Sequence, residues 1–374
     1  MAVSLNKVST LGAVALLSLA VAACSARPEA PTPPPPPAPA PVAAQPAAPQ
    51  APAELKRIEL GYGVYELAYS PAKQAVYAAT AQLTKGVTGG VIYQLDPATL
   101  AITGQIHTDL KNFALTTDAS GETLFVTNSL DGGLSRIDLR TGKLEKRLAF
   151  KEMGRDGHPV NPRQVILHDG LLYVGGVGDP GVIWVVDAKT LTLKARIPNA
   201  GKWVTGLLYS EDTGRLYAAN GGGEVLVINP RTRKIEHRWT PGDGGKYLLL
   251  NLAEDRANHQ LFVTDNSEAK TVLVFDIRTG KVIKRLPVGD ALAIKLNTQR
   301  NELYITQRET GRLLILDATT YAEKKAYDLK PNPNSLLVSP DGQTLYATVK
   351  TPFDKEYMNT APESVVRIDL TAIK

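Results

Sequence analysis

Short stretches of alternating hydrophobic and polar residues recur from about residue 54 to the end of the chain. One stretch, led by an aromatic residue and followed by small or β-branched residues, occurs seven times, beginning at Tyr77, Phe125, Tyr173, Tyr217, Phe262, Tyr304 and Tyr346. The spacings between successive copies are 48, 48, 44, 45, 42 and 42 residues. Because side chains alternate between the two faces of a strand, this pattern predicts a β-rich repeat rather than helices.

A turn signal follows each of these stretches. A second apolar run ends in an acid or an amide, and in the first six repeats a threonine follows three residues later, as in Asp96 with Thr99 and Asp276 with Thr279. Such a side-chain oxygen can accept backbone N–H groups of a tight reversal. Each repeat therefore holds four strands, named a to d. The predicted fold class is all-β, a seven-bladed β-propeller of four-stranded blades.

The two ends of the repeat array predict how the ring closes. The last repeat stops soon after Asp369, without room for its strand d. An additional alternating segment, residues 55–60, precedes the first strand a. We expect this N-terminal strand to complete the last blade and so remove its free edge.

The first 23 residues have the features of an export signal. Lys7 precedes an apolar run over residues 11–21, which is too short to span a bilayer as a helix. The run ends in Val-Ala-Ala before Cys24, which resembles the lipobox of bacterial lipoproteins and implies lipidation at Cys24. Ser25, by analogy with lipoprotein sorting, favours the inner leaflet of the outer membrane. The alternative is an ordinary cleaved signal and a free thiol.

A proline-rich segment separates this signal from the repeats. Residues 27–53 hold twelve prolines, mixed mainly with alanine. Such a segment stays extended at about 3.1 Å per residue, which gives a tether of roughly 80 Å. The predicted organisation is a signal peptide at 1–23, a lipidated cysteine and tether at 24–53, and a propeller at 54–374. The single cysteine excludes an intramolecular disulfide, and the net charge of +5 is a mild bias.

Several stretches resemble one known family. Residues 61–69 (GYGVYELAY), 90–97 (GVIYQLDP), 183–187 (IWVVD) and 333–336 (PNSL) are similar to the YVTN-repeat periplasmic β-propellers of the YncE type, and the likeness extends over residues 55–374. The resemblance implies a periplasmic, seven-bladed, non-enzymatic protein, with binding of single-stranded DNA reported for a member. The lipobox and tether depart from the plain cleaved signal of that relative.

One face of the predicted ring carries irregular loops. The d-to-a and b-to-c connections emerge where the central channel opens, and such loops on a rigid scaffold commonly carry function. The candidate ligand or nucleic-acid site on this face comprises Tyr62, Lys111, Arg163, Lys202, Trp203, Lys246, Tyr247, Arg308, Asn332, Asn334 and Lys350. Interleaved cations and aromatic rings suit a single-stranded nucleic acid or another flat anion. Acidic residues share the face, and solvated lysines and rings buried in blade cores are the structural alternative.

Catalytic and metal-binding motifs are absent from the sequence. The five histidines have no ligand spacing, and neither a G-x-S-x-G elbow nor a nucleotide-binding loop occurs. We therefore expect no catalytic residue, metal or cofactor. The leading hypothesis is a monomeric, lipid-anchored periplasmic binding protein with a channel-mouth ligand, single-stranded DNA by resemblance. The alternatives are a protein–protein scaffold in the cell envelope and a lactonase-like or quinone-dependent enzyme.

Overall fold

The computed structural model describes residues 54–373. The predicted signal peptide, Cys24 and the proline-rich tether lie outside the described residues. Residues 54–373 form seven four-stranded antiparallel sheets arranged in a ring, so the prediction of a seven-bladed β-propeller is confirmed. In this range no helix has the length and apolar character needed to cross a bilayer.

Each blade is built from consecutive strands, except the last. Blades 1 to 3 comprise β2–β5 (Val64–Ser70, Ala75–Thr80, Gly90–Leu95, Ile102–Thr108), β6–β9 (Leu115–Thr117, Thr123–Asn128, Gly133–Asp138, Lys143–Ala149) and β10–β13 (Asn161–His168, Leu171–Val177, Val182–Asp187, Thr192–Ile197). Blades 4 to 6 comprise β14–β17 (Val204–Ser210, Arg215–Asn220, Val225–Asn229, Lys234–Trp239), β18–β21 (Leu249–Asp255, Gln260–Asp265, Thr271–Asp276, Val282–Leu286) and β22–β25 (Ile294–Asn297, Glu302–Gln307, Arg312–Asp317, Glu323–Asp328). Single 3-10 turns cover Ser129–Asp131 and Leu370–Ala372.

Blade 7 combines the two ends of the described chain. It comprises β26–β28 (Asn332–Val338, Thr344–Lys350, Glu363–Asp369) and β1 (Leu55–Gly61) as its outer strand. Strand β1 pairs antiparallel with β28, with Leu55 opposite Ile368. The Glu54 carboxylate also accepts hydrogen bonds from Lys325 and Tyr327 of blade 6. The predicted closure by the N-terminal strand is confirmed.

The hydrophobic core lies between neighbouring blades. The seven aromatic residues that lead the repeats are all buried, at 0–2% exposure, and sit on the second strand of each blade. Tyr173 of blade 3, for example, packs in one cluster with Leu207 and Leu216 of blade 4. Burying a side chain of this size contributes about 1.5–3 kcal/mol. A blade therefore buries its faces only when both neighbours are present.

The strand order gives the ring two distinct faces. The a-to-b and c-to-d turns form one face, called the turn face, where Asp96 Oδ1 accepts hydrogen bonds from the backbone N and the hydroxyl of Thr99, both at 2.7 Å. The d-to-a and b-to-c connections form the opposite face, called the mouth face. Because Leu55 pairs with Ile368 near the end of β28, strand β1 starts at the turn face.

Candidate functional site

The mouth face contains a cavity of about 1030 Å³ over the central channel. Its walls come from the first residues of the innermost strands and from b-to-c loops, as the sequence predicted for this face. The volume is at the upper end of the roughly 300–1,000 Å³ typical of small-molecule sites. Four of the predicted site residues line it together, namely Lys111, Arg163, Trp203 and Arg308.

Threonine hydroxyls position the residues at the base of this cavity. Thr348 accepts a hydrogen bond from the Ser335 backbone N at 2.9 Å and donates to the Tyr65 carbonyl of the next blade, also at 2.9 Å. Equivalent threonines at the third position of the repeat donate in the same way, Thr127 to the Arg163 carbonyl, Thr264 to that of Leu292 and Thr306 to that of Asn334. The repeated threonine therefore joins each of these blades to the next one, and it holds the backbone of the residues at the base of the cavity in place.

Arg163 lies against two aromatic rings. Its guanidinium carbon is 5.3 Å from the centre of the Tyr65 ring and 5.6 Å from that of Phe113. The two rings pack on each other with centroids 4.3 Å apart. Within residues 54–373 the guanidinium makes no hydrogen bond; only the Arg163 backbone carbonyl is used. Its donors are thus available to a ligand, while cation–π contacts hold the group in place.

Arg308 adds a second guanidinium to the cavity. It donates to Asn334 Oδ1, and its Nε has no partner among the described residues. Burial, followed by repulsion from the Arg163 charge, lowers the pKa of Arg308. Because guanidinium groups remain protonated in proteins, the pair forms a positive centre that favours an anion.

Lys350 lies beneath the cavity and is 3% exposed. Its ammonium donates to Glu363 Oε2 at 2.9 Å and to the Val64 carbonyl at 3.0 Å, and lies 3.8 Å from the Tyr65 ring centre. Burial lowers the pKa of Lys350 to about 8, although the Glu363 charge opposes the shift. This predicted site residue therefore supports the Tyr65 ring from below and has no surface to offer a ligand.

The Lys111 ammonium binds backbone carbonyls of the protein itself. The ammonium donates to the carbonyls of Ala81, Gln82 and Val87, at 3.0, 3.2 and 2.8 Å. Burial lowers its pKa. These bonds order the b-to-c loop of blade 1, so Lys111 shapes the cavity wall and contributes positive field.

Trp203 and Lys202 form an exposed edge of the cavity. The Trp203 side chain is 40% exposed, and the Lys202 ammonium lies 4.1 Å from the centre of the indole ring. The Trp203 backbone has φ 56°, a left-handed conformation that is uncommon for a bulky residue. Such outliers cluster at functional sites.

The remaining predicted residues lie away from the cavity or below it. Tyr62 lies in the connection into blade 1, where its carbonyl accepts from Gln82 N at 3.0 Å. Lys246 is exposed, and the Tyr247 hydroxyl donates to Asp243 at 2.6 Å. Asn332 opens strand β26, and Asn334 lines the narrow throat under the cavity.

Similar proteins place this architecture in a family. The chain is 39% identical over 325 residues to YncE of Salmonella typhimurium, covering 86% of this chain and 92% of that protein. It is 39% identical over 326 residues to YncE of Escherichia coli K12, with the same shares. The chain belongs to the YncE family. A more distant similarity, 22% over 244 residues and 59% of each chain, joins it to NirF of Pseudomonas aeruginosa. No family model matches the chain.

Two long b-to-c loops of this YncE family member, residues 81–89 of blade 1 and 351–362 of blade 7, form one wall of the cavity. The sequence interpretation did not single out the aromatic rings that the second loop contributes. Loop 351–362 of blade 7 contributes Phe353 and Tyr357, and the Asn359 backbone N ties it to the Leu83 carbonyl of blade 1 at 2.8 Å. Tyr357 is 78% exposed and has φ 60°. The signal in the sequence was the length of the b-to-c connections in these two adjacent blades.

A throat of about 90 Å³ leads from the cavity into the central channel of about 430 Å³. Residues of all seven innermost strands line this channel. Within residues 54–373 no group of three or more His, Asp and Glu side chains is arranged to hold a metal ion.

Proposed function

We propose that this protein is a lipid-anchored periplasmic binding protein that holds single-stranded nucleic acid at the mouth cavity. The observation that carries the proposal is the Arg163 guanidinium, which lies against the Tyr65 and Phe113 rings and makes no hydrogen bond within residues 54–373. Arg308 provides a second cation beside it, so a phosphate entering the cavity meets two guanidinium groups.

The aromatic edge supplies the second component of such a site. Trp203 and Tyr357 expose large ring surfaces on the rim. Stacking of a base on an aromatic ring contributes about 1–3 kcal/mol and tolerates any sequence. A strand whose phosphate contacts the arginines can therefore place neighbouring bases on the rim.

The test is fluorescence anisotropy with a labelled oligothymidine at several salt concentrations. Arg163→Gln should weaken binding and reduce the salt dependence, by roughly 0.7 in the log–log slope for one lost phosphate contact. Trp203→Ala, alone or with Lys202→Ala, should weaken binding about 5- to 150-fold, from the stacking energy of one base. Arg140→Gln, which removes an exposed cation from the turn face, is the matched control. An oligothymidine affinity that does not change with salt concentration, or that is the same in Arg163→Gln and Trp203→Ala as in the wild type, contradicts the proposal.

The location is tested independently through Cys24. Metabolic labelling with a fatty-acid analogue should mark the wild-type protein and not Cys24→Ser. The variant should then appear in the soluble periplasmic fraction, whereas the wild type sediments with outer membranes. Labelling of Cys24→Ser, or its continued sedimentation, would argue against lipid attachment at this residue.

A protein partner is the second candidate function, because the same rim is apolar. Leu130, Phe353 and Tyr357 are 57%, 40% and 78% exposed around the cavity. A photo-crosslinking residue at Tyr357 should then capture one defined envelope protein, whereas the same residue at Ile102, exposed on an outer strand, should not. Equal products at both positions would speak against a docking site.

A further inference from the structure

The central channel holds two charged side chains that the mouth cavity does not use. Glu66 comes from the innermost strand of blade 1 and Lys295 from that of blade 6, and both line the channel. Blade 7 lies between these blades and contributes Ser335 to the same wall. The three residues therefore surround one part of a space of about 430 Å³.

Neither charge has a protein partner among residues 54–373. The Glu66 carboxylate is attracted by Arg163 and, more weakly, by Lys295, but no hydrogen bond joins these groups within residues 54–373. No direct ion pair joins them within residues 54–373. Desolvation by the channel walls raises the pKa of Glu66 and lowers that of Lys295, although the opposite charges nearby oppose both shifts. Glu66 is half-buried and Lys295 is exposed to the channel, so both charges are accessible to a ligand that carries the opposite charge at each end.

Two amide side chains that line the channel use only one of their two polar ends among the described residues. Gln164 Oε1 accepts a hydrogen bond from the Leu207 backbone N, and its amide N has no acceptor in residues 54–373. Asn251 donates through Nδ2 to the Leu292 carbonyl at 2.8 Å, and its Oδ1 has no donor in the same range. The channel thus offers donors and acceptors next to a negative and a positive charge.

The other ionisable groups near the channel have different surroundings. His168 lies between Asp169 and Glu211, at 3.2 and 3.4 Å, and stacks on Tyr209. Arg163 lines the throat together with Glu66, packs against its two rings, and is the cation that acts most strongly on Glu66. Among the described residues that line the channel itself, Glu66 and Lys295 are therefore the charged side chains without a hydrogen-bond or ion-pair partner.

We propose that the channel is a second binding site, for a small zwitterion whose ammonium contacts Glu66 and whose anionic group contacts Lys295. A channel of about 430 Å³ has space for a short carbon chain between these contacts, and Gln164, Asn251 and Ser335 also line it. The anionic group is a carboxylate or a phosphate, as in an ω-amino acid or phosphoethanolamine. This site lies in the channel, which the throat joins to the mouth cavity.

The test is isothermal titration calorimetry on the full chain with glycine, β-alanine, 4-aminobutyrate, 6-aminohexanoate and phosphoethanolamine. We expect saturable binding of one molecule per chain, best for one chain length, because the two charges are fixed by the ring. Phosphoethanolamine against β-alanine distinguishes the two anionic groups. Butyrate and butylamine, which carry one charge each, should bind at least tenfold more weakly.

Two variants and a charge exchange connect binding to these side chains. Glu66→Gln and Lys295→Met should each weaken binding at least tenfold. The double variant Glu66→Lys with Lys295→Glu should restore it, because a zwitterion can bind in the reverse orientation. Trp203→Ala, which alters the mouth cavity, should leave the affinity unchanged.

Circular dichroism and thermal unfolding establish that each variant is folded before it is titrated. The absence of saturable heat for every probe with folded wild-type protein overturns the proposal, as does equal binding of singly charged probes. Unchanged affinity in both Glu66→Gln and Lys295→Met also overturns it. Oligonucleotide binding is measured separately, so failure here leaves the nucleic-acid proposal standing.

Discussion

Removing the Thr348 hydroxyl should destabilise the ring where blade 7 meets blade 1. Thr348 is fully buried, and its hydroxyl links the Ser335 backbone N to the Tyr65 carbonyl, both at 2.9 Å. Thr348→Val keeps the shape of the side chain and leaves both backbone groups without that partner. A buried unsatisfied polar group costs about 1–3 kcal/mol, so the free energy of unfolding should fall by about 2–6 kcal/mol.

The matched variants separate the hydroxyl from the methyl group. Thr348→Ser keeps the hydroxyl and removes one methyl, which costs about 1 kcal/mol. Thr103→Val changes an exposed threonine on an outer strand and should alter stability by less than about 0.5 kcal/mol. Equilibrium urea unfolding, followed by tryptophan fluorescence and circular dichroism, gives the three values. If Thr348→Val is as stable as Thr348→Ser, the hydroxyl does not hold the two blades together.

Three further perturbations test other parts of the ring. Lys350→Met should lower the free energy of unfolding by about 3–5 kcal/mol, because it leaves the buried Glu363 carboxylate without its ion-pair partner. The folded-state pKa of Lys350, about 8, is below the ordinary 10.5, so the unfolded chain binds more protons between these pH values, and wild-type stability relative to Lys350→Met should rise with pH there. A stability difference that stays constant over this pH range in urea titrations would contradict the reasoning. Deleting residues 54–60 exposes the edge of blade 7, so size-exclusion chromatography should show self-association and calorimetry a lower Tm; an unchanged monomer would refute the role of the strand. Gly206→Ala presses a Cβ against the Leu250 carbonyl oxygen and should lower the Tm, whereas Gly104→Ala meets only a flexible side chain and should not; equal Tm values would show that blade 4 can shift.

The sequence was sufficient to predict the ring because the relevant signals are local and repeated. Two-residue periodicity marks each strand, and the surplus segment 55–60 matches the missing strand after Asp369. The assignment of loops to faces follows from strand order alone. For these reasons the blades, their closure and the loops that form the mouth face could be predicted without coordinates.

The roles of individual cations depend on contacts that sequence spacing does not encode. Lys350 ends a strand, where a lysine is normally solvated, but Glu363 from the next strand fixes it beneath Tyr65. The Lys111 ammonium donates its hydrogen bonds to backbone carbonyls of a loop about 25 residues earlier in the chain. The exposure of Tyr357 depends on how loop 351–362 folds against blade 1, which composition does not reveal.

The position of Glu54 determines how the molecule can be presented to a ligand. Strand β1 begins at the turn face, and the mouth cavity opens on the opposite one. A protein immobilised on a sensor chip through residues preceding Glu54 would therefore expose its cavity to the flowing solution. Immobilisation through the loop at Phe353 would block the cavity, so comparing the two orientations gives a direct measure of which face captures an analyte.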